Sequence, residues 1–214
     1  MEDLRYSSGH KEKTFSKILD TASRRFRERG IKAVSVADLM AAAGLTHGGF
    51  YAHFDSKDAL IVEVIRHVLD EKRALIRRRG SRAKEGESPL EVISRNYLSG
   101  KHRDNAGGGC LLPLLSAEIG RGDEASRRAL TDRVKKLVAL LAQYVSVDDA
   151  REREVAAIGF VSALVGAMLI ARATNDRRFS NRILRGTRQM LSSTFALRNQ
   201  QPRSRRRSNR DKAD

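Results

Sequence analysis

The heptapeptide His47-Gly48-Gly49-Phe50-Tyr51-Ala52-His53 brings two imidazoles, a phenol and two adjacent glycines into seven positions. Imidazoles donate or accept hydrogen bonds at base edges, and a phenolic hydroxyl suits a phosphate oxygen. Gly48 and Gly49 let a backbone come close to a duplex; inside a short helix each costs about 1 kcal/mol relative to Ala, a cost that such an approach would offset. Phe50 and Phe54, four residues apart, form the inward face, directed at Phe15, Ile18 and Leu39. Lys57 adds a cation near the free N–H groups of a helix start, where phosphate is favoured. The same residues also fit a plain three-helix packing unit in which the His and Tyr side chains merely cap or meet solvent.

Cys110, the chain's one cysteine, is the other side chain with chemistry to offer. It follows a glycine-rich loop at an expected helix start, with Lys101, His102 and Arg103 close in sequence, and cations or helix N–H groups favour a reactive thiolate. The alternative is a small apolar core residue, because unpaired Cys is among the most buried types. A noncovalent pocket between the C-terminal helices is expected to use Tyr97, His102, Phe160 and Leu164 in its wall. Enzymatic chemistry fits poorly. Gly107 to Gly109 lacks the following Lys-Ser or Lys-Thr of a phosphate loop, and His102 with Cys110 lacks an orienting third group. Glu63 and His67 form one i,i+4 pair without further ligands. No catalytic residue, metal site or cofactor is therefore expected, and a Cys-dependent hydrolase is kept only as a further alternative.

Elements that position these groups are read from periodicity. The chain has 214 residues, 40% apolar and 32% charged, with three Pro, no Trp and 5% aromatic residues, a composition that favours long helices over sheet. Phe15, Ile18, Leu19, Ala22 and Phe26 mark one face of a helix from Lys13 to Arg29, stopped by Gly30. Ser35 with Asp38 is a capping box opening a second helix that Gly44 stops. Thr46 is placed to cap the third short segment, so the spacing predicts a helix-turn-helix. A fourth helix starts at Ser56 with an apolar stripe running to Ile76, and Ser88-Pro89-Leu90-Glu91 opens another that runs through about Leu98.

Gly100 to Gly109 reads as a loop, and Cys110 to Ile119 as a short apolar segment interrupted by Pro113. Helices follow at 125–145, about 149–173 and 179–198. Val155 to Ala171 carries no charge, but its 17 residues sit at the lower edge of what crosses about 30 Å of hydrocarbon, so a core or interface helix is expected and not a membrane span. The lone Cys and the polar first residues point to the cytoplasm.

These residues carry a family resemblance. Phe26 to Ile31, Ser35-Val36-Ala37-Asp38-Leu39, Ala43-Gly44-Leu45-Thr46, Phe50-Tyr51-x-His53-Phe54 and Ser56-Lys57-x-x-Leu60 together resemble the DNA-binding head of the TetR family of transcriptional regulators. The resemblance implies an all-α homodimer: a helix-turn-helix head at 1–55, a larger ligand-binding and dimerisation domain at 56–198, and a basic, disordered tail at 199–214. Ser35, Val36, Tyr51 and Lys57 would sit at phosphates, with His47, Gly48 and His53 nearest the bases of a palindromic operator and Thr46 and Gly49 also among the DNA-binding residues. Small residues at Ala156, Gly159, Ala163, Gly166 and Ala167 would let the helix near 151–173 join that near 179–198 in the dimer contact. A small-molecule effector would release the DNA. Gly109-Cys110-Leu111 with Leu115 and Glu118 also resembles a branch of electrophile-sensing repressors of the N-ethylmaleimide reductase type, from which Pro113 departs. A low-specificity, ligand-free protein that packages nucleic acid is the alternative reading.

Formal charge is +16, but residues 1–55 hold nine basic and seven acidic residues, a net of only +2. The excess is an aid to association; base reading has to rest on the few nearly neutral residues between Ser35 and Lys57.

Overall fold

The computed structural model describes residues 2–83 and 86–199, and all the regular structure among them is helical. Helix α1 spans Glu2–Arg29, α2 Val36–Ala42, and a 3-10 helix His47–Ala52. Then come α3 (Lys57–Gly80), α4 (Pro89–Tyr97), α5 (Gly100–Asp104) and α6 (Leu112–Gly120). The chain continues through α7 (Glu124–Ala142), α8 (Ala150–Ala173) and α9 (Arg177–Asn199). The all-α expectation with a helix-turn-helix head and a larger C-terminal helical part holds. The basic tail expected at 199–214 lies, from residue 200 onward, outside the described residues.

Local chemistry explains most boundaries. The capping box forms as expected: Asp38 N–H donates to Ser35 Oγ at 3.0 Å, and Ser35 N–H donates to Asp38 Oδ2 at 3.1 Å. Gly44, at φ 63°, then stops α2 in a left-handed conformation open to glycine. Ser56, Asp123 and Asp149 cap α3, α7 and α8 through side-chain oxygens. Three expectations need correction. Helix α1 begins at Glu2 and not near Lys13. The first half of the expected 100–109 loop is α5, because Ser99 Oγ accepts from His102 N–H and so caps a turn despite Gly100. Pro113 does not interrupt its segment; it sits in the first turn of α6, where a missing N–H costs nothing.

Two apolar clusters organise the packing. One joins Ile18, Phe26, Leu39, Phe50 and Phe54 to Leu60, Val64 and Val68 of α3 and to Leu111, Leu115 and Ile119. It therefore runs without a break across residue 55. The second joins α4, α7, α8 and α9 around Ile93, Leu141, Phe160, Leu164 and Phe195. Helix α8 is long and apolar enough to cross a membrane by composition, yet Ala157, Phe160, Leu164 and Met168 are buried against α7 and α9, which makes it a core helix. Its other face is exposed and apolar through Val155, Ile158, Leu169 and Ile170.

The chain turns from α1 toward α2 at Gly30, where φ is 87° and a Cβ would stand 2.7 Å from Glu118 Oε1. Gly30→Ala meets both left-handed strain and that carboxylate, and is expected to destabilise the fold by about 1–3 kcal/mol. Equilibrium urea unfolding checks this; an unchanged midpoint would show that the corner relaxes freely.

Candidate nucleic-acid interface and effector cavity

The 3-10 helix presents its residues to two sides. Phe50 is fully buried, edge-on to Tyr51 and tilted against Phe54 with ring centroids 5.3 and 5.5 Å away, and Phe54 stacks on Phe15 at 5.0 Å. That anchor turns Tyr51 outward, 59% exposed, with His47 edge-on to it at 5.9 Å. Thr46, His47 and Gly48 are exposed on the same short stretch, as is Ser35 at the start of α2, and nothing lies within 4 Å of where a Gly48 Cβ would be. Gly49 has less room, 3.4 Å from Thr46 Oγ1. Val36 is half-buried in the first turn of α2, where backbone N–H groups have no helical partner. His53 is also half-buried, and burial lowers its pKa, with Lys11 adding to the effect, so the ring stays neutral near pH 7.

Thr46 departs from its expected role, and Lys57 and Ser35 already have partners within the chain. Thr46 makes no side-chain cap bond, so its hydroxyl does not hold the 3-10 helix. Lys57 Nζ donates to the Ile31 carbonyl at 2.7 Å and lies 5.9 Å from the Phe26 ring centroid, so it braces the corner after α1 and is not directed outward at a phosphate. Ser35 Oγ is likewise bonded to Asp38 Oδ2 at 2.6 Å.

The second site is a cavity of about 320 Å³ between α3, α4, α5, α7 and α8. Tyr97, His102 and Leu164 line it, and so does Cys110. Phe160 does not: it is buried in the second apolar cluster, edge-on to Phe195 at 5.3 Å. Apolar wall comes from Leu69, Ile76, Ile93, Leu141 and Val161, and polar wall from Lys72, Arg79, Asn96 and Lys101. Sequence reasoning missed Lys72 and Arg79; the signal was two cations placed on the α3 stripe between Leu69 and Ile76 and one turn beyond.

His102 is held by two backbone groups. Its Nδ1 lies 2.8 Å from the Tyr97 carbonyl, which can only accept, and its Nε2 takes the Cys110 N–H at 3.0 Å, which can only donate. These partners select the neutral tautomer protonated at Nδ1. Burial pushes its pKa down to about 4, and nearby Arg172, Lys72 and Arg79 reinforce the shift. Cys110 is buried, and burial raises its thiol pKa above the ordinary value despite the opposing pull of Tyr97, Lys72 and Arg172. The basic residues before it do not activate it: His102 is neutral, and Arg103 turns away to Ser180 and Asn181, both at 2.8 Å. The expected reactive thiolate is thus disfavoured, because desolvation outweighs the cations.

Head and cavity share structural members. The carboxylate of Glu118 on α6 accepts from Ile31 N–H at 2.9 Å and Lys32 N–H at 3.1 Å. Arg27 of α1, almost wholly buried, donates to the Gly109 carbonyl at 3.1 Å, and Lys72 donates to that of Gly108 at 2.7 Å. Arg172 of α8 closes the group by donating to the carbonyls of His102 and Arg103. Segment 105–111 therefore touches the cavity on one side and α1 on the other.

Comparison with known proteins agrees with this layout. Residues 18–64 match the family model of bacterial regulatory proteins of the tetR family. The repressor KstR2 of Rhodococcus jostii is 43% identical over 56 residues, which span 26% of this chain and 28% of that protein. Two solved structures superpose over most of the chain at 20% identity and so speak for the fold. A TetR-family regulator from Cytophaga hutchinsonii gives a TM-score of 0.73 over 86% of this chain and 96% of its own. Reduced NemR of E. coli gives 0.69 over 85% and 96%.

Two predictions follow from this geometry. NMR of the His102 ring should show the Nδ1-protonated tautomer and a titration midpoint near 4. Because an unfolded histidine titrates near about 6.5, the unfolded chain gains a proton that the folded one refuses as pH falls from there toward the folded value; stability should be full above that window and drop through it. A midpoint near the ordinary value would refute the buried pairing. Glu118→Ala should cost about 1.5–3 kcal/mol, the worth of hydrogen bonds to a charged group, and hydrogen exchange should speed up at Ile31 and Lys32.

Proposed function

We propose, from the premise that residues 18–64 belong to the TetR family, that this chain is a cytoplasmic, dimeric repressor that reads a palindromic operator and leaves it when a small molecule fills the cavity. The observation that carries the reading is the 3-10 helix: Phe50 is buried so completely that Tyr51 and His47 are forced outward beside exposed Gly48. A short element with aromatic anchors behind and hydrogen-bonding tips in front suits a major groove about 12 Å wide. Thr46, His47, Gly48, Gly49, Tyr51 and His53 would meet the DNA, with Ser35 and Val36 at phosphates through the first turn of α2. Lys57 serves the head by bracing Ile31.

Dimerisation is supported by the exposed apolar face of α8 together with Phe179 and Met190 of α9, too much hydrocarbon for a solvated monomer surface. Gly159 and Gly166 lie on that face with open space beyond them, while Ala156 and Ala167 are buried inside the monomer. The division at residue 55 is functional, with α3 belonging to both parts. Signal transfer would run from the cavity through segment 105–111 and α6 to the corner at Ile31, where a shift of Glu118 or Arg27 tilts the head. A noncovalent effector fits better than an electrophile because Cys110 is buried with its thiol pKa raised.

The test is to select bound fragments from random DNA and footprint them with the full-length protein. A short inverted repeat is expected, with His47→Ala and Tyr51→Ala each weakening it by about tenfold or more while sedimentation shows the dimer intact. Uniform protection of unrelated DNA, unaffected by both substitutions, would replace this reading with nonspecific packaging.

A further inference from the structure

Chemical asymmetry of the cavity wall points to its occupant. Lys72, Arg79 and Lys101 line it, and no Asp or Glu does so among the described residues. Arg79 is half-buried on α3, between the exposed Arg77 and Arg78 and the buried Gly80, and it has no hydrogen-bond or ion-pair partner among the described residues. Burial lowers its pKa, so the guanidinium is partly withdrawn from water at the cavity wall. The Tyr97 hydroxyl, also in the wall, is buried beside the Cys110 thiol and meets no oxygen or nitrogen partner. Lys72 and Arg79 lie seven residues apart on α3 and share this wall with Tyr97 and His102, Lys72 reaching the Gly108 carbonyl at 2.7 Å. Ile93, Leu141, Val161 and Leu164 give the wall its hydrocarbon surface.

We infer that the cavity binds an apolar organic acid, with its carboxylate met by Arg79 and Lys72, a further hydrogen bond from Tyr97, and its hydrocarbon body against Ile93, Leu141 and Leu164. A neutral ligand leaves Arg79 unpaired and a cation is repelled by all three basic groups, so the charge sign of the ligand is the discriminating property. Size follows from volume. An apolar cavity of about 150 Å³ takes one benzene ring, so this one holds about a dozen non-hydrogen atoms, the size of decanoate.

This inference deepens the effector reading above and rests on it for its biological meaning, but its test does not. Full-length protein is titrated calorimetrically with decanoate, decan-1-ol and decylamine. Decanoate should bind with one site per chain, at least about tenfold more tightly than either analogue, and Arg79→Gln should remove about tenfold of that affinity with the melting temperature of the free protein unchanged. Equal or tighter binding of decylamine or decan-1-ol overturns the inference, as does failure of decanoate to bind. The comparison of three ligands on the unaltered protein stands even if the substituted chain does not fold. Operator binding is followed separately by fluorescence anisotropy: decanoate binding without sequence-specific DNA binding keeps the cavity assignment and removes the repressor, and the opposite pair of results does the reverse.

Discussion

One carboxylate ties the two ends of this molecule together. Glu118, on a helix that also supports the cavity segment, takes the backbone N–H groups of Ile31 and Lys32 just where the chain leaves α1. Lys57 holds the carbonyl of the same Ile31 from the start of α3. Both sides of one peptide corner are thus fixed by side chains from distant elements, and Gly30 is needed because a side chain there would collide with the acid. The angle at which the head departs depends on this corner. A charge-assisted pair of hydrogen bonds, at a few kcal/mol, is strong enough to set it.

The cavity is built on the same economy of parts. Segment 105–111 offers its carbonyls to Arg27 and Lys72, and its one inward N–H, that of Cys110, to His102. Arg27 is an almost fully buried cation whose bonded partners are neutral, a carbonyl and the Ser23 hydroxyl, so its place in the core depends on that segment staying where it is. Anything that shifts Gly108 to Cys110 from the cavity side is felt at α1 without a long chain of intermediaries. A contiguous apolar core from Phe26 through Leu60 to Leu115 makes the response one of packed units and not of a loose hinge.

Charge divides by role. The head is nearly neutral, whereas the basic surplus lies elsewhere: in the C-terminal residues, in Arg77 and Arg78, and in the three cations that face the cavity. Composition alone merges these into one figure of +16. Separated, they fall into a group at the chain's C-terminal end and a group lining a cavity, which the single figure hides.

What the sequence by itself determined was local. Helix type, the Ser35–Asp38 capping box, the inward Phe50 and Phe54, and the outward Tyr51 were all legible, because capping and periodicity act over three or four residues. The cavity was half legible: Tyr97, His102 and Leu164 could be named from the expected helices and Cys110 from the glycine-rich loop before it, but Phe160 went to the core, and Lys72 and Arg79 passed unnoticed as polar interruptions of a helical stripe. Only the tertiary structure decided whether Lys57 faces a phosphate or a carbonyl, whether Cys110 is activated or silenced, and that Glu118 reaches back 87 residues to Ile31. Each of those outcomes depends on burial and on partners far away in the chain, and no spacing within a helix encodes how much water a group loses when distant segments close over it.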